Sequence, residues 1–106
     1  SGRYLKEVIM KAKEKGFKVV LIYMLLESEI ENILRVKNRV LNGGHDVPEV
    51  DIKRRYTRSR RLFWNNYKNM VDKWMLFFNG DDNYELVAED DEILDLEYFN
   101  LFIKDL

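Results

Sequence analysis

Residues 17–26 read Phe-Lys-Val-Val-Leu-Ile-Tyr-Met-Leu-Leu, an apolar run that only Lys18 interrupts. A short run of β-branched and aliphatic side chains without polar alternation is typical of a strand that is covered on both faces. Strands of that kind occur mainly in parallel sheets, where helices connect one strand to the next. The run therefore predicts a parallel sheet with helices on both of its faces.

The chain on either side of this strand has the periodicity of helices. Residues 3–15 carry apolar side chains at helical spacing, and Gly16 suits the end of that helix. Ser28 and Glu31 have the spacing of a capping box, which predicts a second helix that ends at Asn42-Gly43-Gly44. Pro48 fits a first helical turn, where its missing N–H costs nothing, so a third helix is expected from about 48 to 72.

The last third of the chain predicts two more strands and a closing helix. Residues 74–79 read as a second buried strand, and residues 84–88 as a short strand that pairs back after a turn. Residues 94–105 are expected to form a helix with Leu94 and Phe102 inward. The predicted order is αβααββα: an α/β fold in one domain, with two parallel-type central strands and an antiparallel edge strand.

Composition excludes several kinds of site. The 106 residues contain no cysteine and one histidine, so disulfides, thiolate metal sites and multi-histidine metal sites are excluded, and no metal site is predicted. No apolar run has membrane-spanning length, and a cytoplasmic location is expected.

The net charge of −1 conceals an asymmetry along the chain. Residues 35–73 hold eleven Lys/Arg against four Asp/Glu, whereas residues 81–106 hold ten Asp/Glu and only Lys104. The middle of the chain should attract an anion.

The cationic side chains are densest in residues 53–61, which include Lys53, Arg54, Arg55, Arg58, Arg60 and Arg61. On a helix, Arg54, Arg58 and Arg61 follow one stripe, where like charges repel by a few tenths of a kcal/mol per pair. A bound anion would relieve that repulsion, and the guanidinium group matches the oxygens of phosphate. The stretch therefore predicts a phosphate-binding helix face.

Other interpretations of these residues stay open. A charge run is often a solvated helix face, and a nucleic-acid patch is a further alternative that the slightly acidic chain makes unlikely. His45 can fix its loop by bonding a carbonyl or act in acid/base chemistry. Asp46 can cap a helix or serve as a base.

One block of the sequence resembles a known family. The residues Gly43-Gly44-His45-Asp46-Val47-Pro48, followed by Ile52-Lys53-Arg54-Arg55-Tyr56-Thr57-Arg58-Ser59, resemble the zeta-toxin-like family of P-loop kinases. The resemblance extends over about residues 4–90. It implies a partial P-loop NTPase-type fold that comprises the C-terminal half of the kinase domain, with a lid at about residues 43–61.

The resemblance also implies roles for individual residues. Arg54, Arg55 and Arg58 would contact the transferred phosphate and its transition state. Arg35 and Arg39 precede the lid and would meet phosphate or brace the loop. Arg61, from its place in the cationic stretch, is a further candidate for binding nucleotide or phosphate, and His45 and Asp46 are candidates for positioning the loop.

The same resemblance implies ATP and Mg²⁺ for the complete domain, with an unidentified phosphate acceptor such as a nucleotide sugar. The phosphate-binding motif Gly-x-x-x-x-Gly-Lys-Ser/Thr occurs nowhere in the 106 residues, so the chain alone is expected to bind no cofactor and to be inactive. Its expected partner is the missing N-terminal half of the domain. Exposed strand edges predict self-association. The alternative function is a non-catalytic module that binds an anion or RNA through the arginine helix.

Overall fold

The computed structural model describes residues 2–26, 47–80, 83–104 and 106, with the side chains of 3–25, 54–80, 83–104 and 106. This part of the chain has a mixed α/β architecture, in which a sheet of four strands in the order β1-β2-β3-β4 is combined with three α-helices. The elements are α1 (Gly2–Glu14), β1 (Val20–Leu26), α2 (Val47–Arg61), β2 (Lys73–Asn79), β3 (Tyr84–Glu89), β4 (Glu92–Ile93) and α3 (Leu96–Ile103). The predicted helix after Ser28 lies outside the described residues.

The end of α1 follows the prediction made from Gly16. This glycine has a φ of 84°, a left-handed conformation that side chains with a Cβ rarely adopt. The Gly16 N–H donates to the Lys13 carbonyl at 3.0 Å, and the Phe17 N–H donates to the Ala12 carbonyl at 3.0 Å. This pair of bonds is a Schellman motif, which satisfies carbonyls at the helix end and turns the chain toward β1.

The strands β1 and β2 pair in parallel, from Val20 opposite Lys73 to Leu26 opposite Asn79, as the two apolar runs predict. Among the described residues, the prediction that both faces of β1 are covered holds for one face only. Leu25 is fully buried on one face, whereas Val20 and Ile22 on the other face are 53% and 54% exposed. Among the described residues, α2 and α3 pack on the face of Leu25, and the opposite face remains open.

The strand β3 pairs antiparallel with β2, as predicted, and a bulge interrupts their register between Leu76 and Phe77. It is not the edge strand, because β4 pairs with it on the other side. The turn into β4 contains Asp90 at a φ of 51°, and the carboxylate of Asp90 accepts from the Trp74 N–H at 3.0 Å. Sequence patterning missed β4 because a two-residue strand has no measurable alternation.

The predicted helix at 48–72 is α-helical only as far as Arg61. It continues as a π-helical turn at Leu62–Asn66 and a 3-10 turn at Tyr67–Asn69. Phe63 and Trp64 are consecutive, and both pack edge-on against Trp74, at ring-centroid distances of 5.8 and 5.6 Å. Consecutive side chains of an α-helix point about 100° apart, which makes it difficult for both to contact one residue. The π turn at Leu62–Asn66 occurs where Phe63 and Trp64 both contact Trp74.

The helix α3 closes the core on the covered face of the sheet. Asp95 caps it, since its carboxylate accepts from the Tyr98 N–H at 3.1 Å. Phe102 is fully buried and packs against Tyr23, Phe63 and Trp64. Leu94, predicted to point inward, is 51% exposed because it precedes the helix. No helix in the described ranges is both long and apolar enough to cross a membrane.

Candidate anion-binding site

A cavity of about 670 Å³ lies between α1, β1 and the segment from α2 into the π turn. Its apolar lining comes from all three elements and includes Leu5, Leu21, Leu62 and Phe63. Volumes of this size are typical of small-molecule sites, which combine an apolar lining with a few placed polar groups. The cavity therefore has the size and surface to hold a small organic ligand.

The polar side chains of this cavity include two arginines and a hydrogen-bonded pair of hydroxyl groups. Arg55 and Arg58 line the cavity from α2. The Tyr23 hydroxyl donates to Ser59 Oγ at 3.0 Å, and both side chains line the same cavity. This bond joins the middle of β1 to α2, so the helix that carries the arginines is held against the sheet.

A second cavity of about 810 Å³ lies beside the first and shares Arg58, Leu62 and Tyr67 with it. Its lining adds Arg3 and Lys6 from α1. Arg58 thus borders both cavities, and cations from two different helices surround one region of the surface. No Asp or Glu is among the described residues that line either cavity.

The two arginines of the first cavity have charges that the rest of the described chain does not compensate. Arg55 and Arg58 are exposed, and neither makes a hydrogen bond or ion pair with another described residue. A guanidinium group offers five N–H donors and stays charged at all physiological pH values. Both side chains are therefore available to an anionic ligand, and carboxylates or phosphates are the groups that they bind best.

Arg60 has a different role from its neighbours, which corrects its inclusion in the phosphate-binding stretch. Its side chain is 4% exposed and Nη1 donates to the carbonyl oxygens of Leu101 at 3.5 Å, Phe102, and Lys104 at 3.0 Å. Its guanidinium carbon lies 4.4 Å from the centroid of the Tyr56 ring. Arg60 therefore satisfies the free carbonyls at the C-terminus of α3, where the helix dipole favours a cation.

The remaining predicted site residues divide into two groups. Arg54 and Arg61 are exposed on α2, and neither is among the described residues that line the two cavities. Arg35, Arg39, His45 and Asp46 lie outside the described residues, as does the first part of the predicted lid. The structure therefore brings together Arg55 and Arg58 from the predicted set.

Arg3 and Lys6 are the cationic residues that the sequence interpretation missed. They are spaced i and i+3 on α1, so they share one side of that helix next to Leu5. Their spacing was visible in the sequence, but α1 also carries other lysines and two glutamates. Only the tertiary structure shows that Arg3 and Lys6 of α1 line the same cavity as Arg58.

The chemistry of the lining suits phosphate better than a metal ion. Cationic side chains repel a divalent cation, and the described residues include no group of three or more His, Cys, Asp or Glu placed to hold one. The lining therefore suits an anionic group and not a divalent cation.

Comparison with known proteins adds one relative. Over 56 residues the chain is 39% identical to an uncharacterized protein of Haemophilus influenzae, a match that covers 53% of this chain and 40% of that protein. The chain thus spans less than half the length of that relative. No family model matches the chain, and no solved structure matches it.

Proposed function

We propose that the chain is the lid-bearing, C-terminal part of a cytoplasmic ATP-dependent kinase of the zeta-toxin-like, P-loop type. In this proposal α2 is the described part of the lid, and the cavity beside it receives phosphate groups. ATP and Mg²⁺ act in the complete domain, with a nucleotide sugar as the candidate acceptor. The chain alone lacks the phosphate loop and is inactive.

The observation that carries the proposal is the grouping of Arg55 and Arg58 with Arg3 and Lys6 around adjoining cavities whose described lining has no acidic side chain. A solvated helix face would not require cations from a second helix at the same place. Grouped cations of this kind stabilise negative charge on phosphate oxygens, which is the main contribution that a protein makes to phosphoryl transfer.

The cavity shape supports a small ligand in preference to a polymer. The lining of the first cavity is mostly apolar and comes from three elements, so a compact ligand with an apolar body and an anionic group would fill it. Single-stranded RNA is usually held in an open basic groove with exposed aromatic platforms. Both tryptophans pack into the core, since Trp74 is buried and Trp64 packs against Trp74 and Phe99. Tyr4, Phe17 and Tyr84 are exposed, so the cavity and not the aromatic side chains favours the small ligand.

We predict that replacing Arg58 with glutamine weakens the binding of ATP more than any other single arginine replacement on α2. Arg58 borders both cavities, and a charge-assisted hydrogen bond contributes about 1.5–3 kcal/mol, or roughly a 10- to 150-fold change in Kd. Isothermal titration of ATP into the complete domain measures the effect, and titration of tripolyphosphate into the chain alone measures the contribution of the cationic cavities.

The matched control is Arg61→Gln, which removes the same charge from an exposed position on the same helix outside both cavities. It should change Kd by less than about twofold. Equal losses in both variants would mean that α2 attracts ATP through its overall charge, and unchanged binding in Arg58→Gln would contradict the proposed site.

RNA titration at two salt concentrations distinguishes the alternative function. A nucleic-acid module would bind RNA with an affinity that falls steeply as salt rises, and its complete domain would not respond to ATP. That pattern would refute the kinase proposal and support the RNA-binding one.

The kinase part of the proposal has a separate test in the DNA upstream of residue 1. A reading frame that encodes Gly-x-x-x-x-Gly-Lys-Ser/Thr after an apolar strand would support it, because that loop holds the phosphates and places Mg²⁺. A continuous frame without the motif would contradict phosphoryl transfer while leaving anion binding by Arg55 and Arg58 possible.

A further inference from the structure

The exposed apolar side chains concentrate on α1, β1 and the loop between them. Six of the ten large apolar side chains that are exposed among the described residues lie there, with exposures between 44% and 70%: Tyr4, Val8, Met10, Phe17, Val20 and Ile22. Single exposed apolar residues are common on protein surfaces, and helical spacing places Met10 on a different side of α1 from Tyr4 and Val8. Val20 and Ile22, in contrast, share one face of β1, and the cationic cavities do not explain why that face is apolar.

The backbone of β1 presents hydrogen-bonding groups on the side away from β2. Val19 directs its backbone N–H and C=O toward the start of β2. The N–H donates to the Asp72 carboxylate at 2.7 Å, and the carbonyl accepts from the Asp72 N–H at 3.0 Å. Successive residues of a strand alternate in this direction. Val20, Ile22 and Met24 therefore direct their N–H and C=O groups to the outer edge, where no other described strand lies.

Within its own sequence, β1 has none of the residues by which edge strands usually avoid pairing. Residues 20–26 read Val-Leu-Ile-Tyr-Met-Leu-Leu, without a charged side chain or a proline, and the β1–β2 register has no bulge. Monomeric proteins commonly protect such edges with lysine, proline or a bulge. The strand is long enough to form a full ladder with another strand.

We propose that β1 pairs antiparallel with β1 of a second copy of the chain, so that two sheets join into one continuous sheet across a two-fold axis. Ile22 and Tyr23 of this edge also line the first cavity, so the interface borders the proposed phosphate site. A two-fold axis at Tyr23 places Ile22 opposite Met24 and Val20 opposite Leu26. These are the residues whose peptide groups point outward, so the antiparallel ladder forms without moving β1.

The sequence around β1 favours a second copy over a different partner. Every cross-strand pair in this register is apolar, so no like charges meet. Residues 11–18 before β1 carry four lysines and Glu14, whereas Glu27, Glu29 and Glu31 follow β1 in the sequence. In an antiparallel pair, the N-terminal end of one strand lies next to the C-terminal end of the other. The end that the lysines precede in one copy therefore lies next to the end that the glutamates follow in the other copy. A two-fold interface is also the commonest form of homo-oligomer.

Sedimentation velocity over about a hundred-fold range of concentration tests the proposal. The unaltered chain should show a reversible monomer–dimer equilibrium. Ile22→Pro removes one outward N–H without removing a β1–β2 bond, and Val20→Lys places a charge on the exposed side of the edge strand. Each should raise the dimer Kd by about tenfold or more.

The matched control is Leu94→Lys, which adds the same charge at a side chain of similar exposure, 51% against 53% for Val20. It should leave the dimer Kd unchanged.

Far-UV circular dichroism and the urea midpoint establish that each variant is folded. The two β1 variants act by different mechanisms, since one removes a hydrogen-bond donor and the other adds a charge. A monomer at all concentrations overturns the proposal, as does a dimer that survives both β1 changes or is equally weakened by Leu94→Lys.

Discussion

Arginines that are close in sequence have different environments in this protein. Arg58 is exposed and lines both cavities, whereas Arg60, two residues later, is 4% exposed and donates to carbonyls at the end of α3. Helical spacing places them on different sides of α2 but cannot tell which side meets another helix. The composition of residues 53–61 therefore overstated the number of cations available to an anion.

A single ion pair on the open face of the sheet provides a pH-dependent prediction. Lys73 on β2 pairs with Glu89 on β3. The hydrogen bond from the Lys73 ammonium to the Glu89 carboxylate, together with the charge of that carboxylate, raises the pKa of Lys73 above its ordinary value of 10.5. Since the pKa is raised in the folded state, the stabilisation is fully present below pH 10.5 and is lost as the pH rises through the folded-state value.

We expect Lys73→Gln to lower the free energy of unfolding slightly at neutral pH, because an exposed ion pair stabilises only weakly. The difference from the unaltered chain should shrink as the pH rises above 10.5. Urea unfolding at a series of pH values measures it. Glu89→Gln and the double variant complete a cycle that isolates the pair. A difference that stays constant at all pH values would show that Lys73 acts through packing and not through its charge.

At the scale of elements, local signals predicted helix ends better than they predicted helix continuity. Gly16 ends α1 as expected, because a left-handed residue after a helix is a local preference of the backbone. The helix expected at 48–72 instead changes to a π turn at Leu62–Asn66. That change accompanies contacts of Phe63 and Trp64 with Trp74, which lies on a strand and not on the helix.

We predict that Gly16→Ala destabilises the protein by about 1 kcal/mol, because alanine must adopt the left-handed conformation that glycine tolerates. A Cβ at this position meets no atom within 4 Å, so the cost is one of backbone conformation and not of packing. Urea unfolding measures the change. Gly16→Asn is the control, and it should cost less because asparagine enters this region more readily. Equal costs for the two variants would contradict this explanation.

At the scale of the whole molecule, Arg60 links α2 to α3. The bonds from its guanidinium group to carbonyls of residues 101, 102 and 104 span about forty positions of the sequence. Its ring contact with Tyr56 adds to the same junction. Arg60 is therefore a positioning residue for the helix that carries Arg55 and Arg58.

We predict that Arg60→Met lowers the free energy of unfolding by about 1.5–3 kcal/mol, because the carbonyls at the end of α3 lose a charged donor. Methionine is long and flexible enough to fill most of the space. Arg58→Met, which removes the same charge from an exposed side chain, should change stability by no more than about 0.5 kcal/mol. Chemical denaturation of both variants makes the comparison, and a cost for Arg60→Met as small as that of the control would contradict the structural role.

The sequence by itself determined the local features of this protein: the apolar strands, the end of α1, the hairpin after β2 and the dense cations of α2. Each depends on residues within one turn or one strand, where backbone preference and side-chain periodicity act. Tertiary structure decided which face of β1 is open, which arginine is buried, and that Arg3 and Lys6 lie beside Arg58. Those outcomes depend on contacts between distant segments, because burial and charge grouping arise only when separate elements pack together.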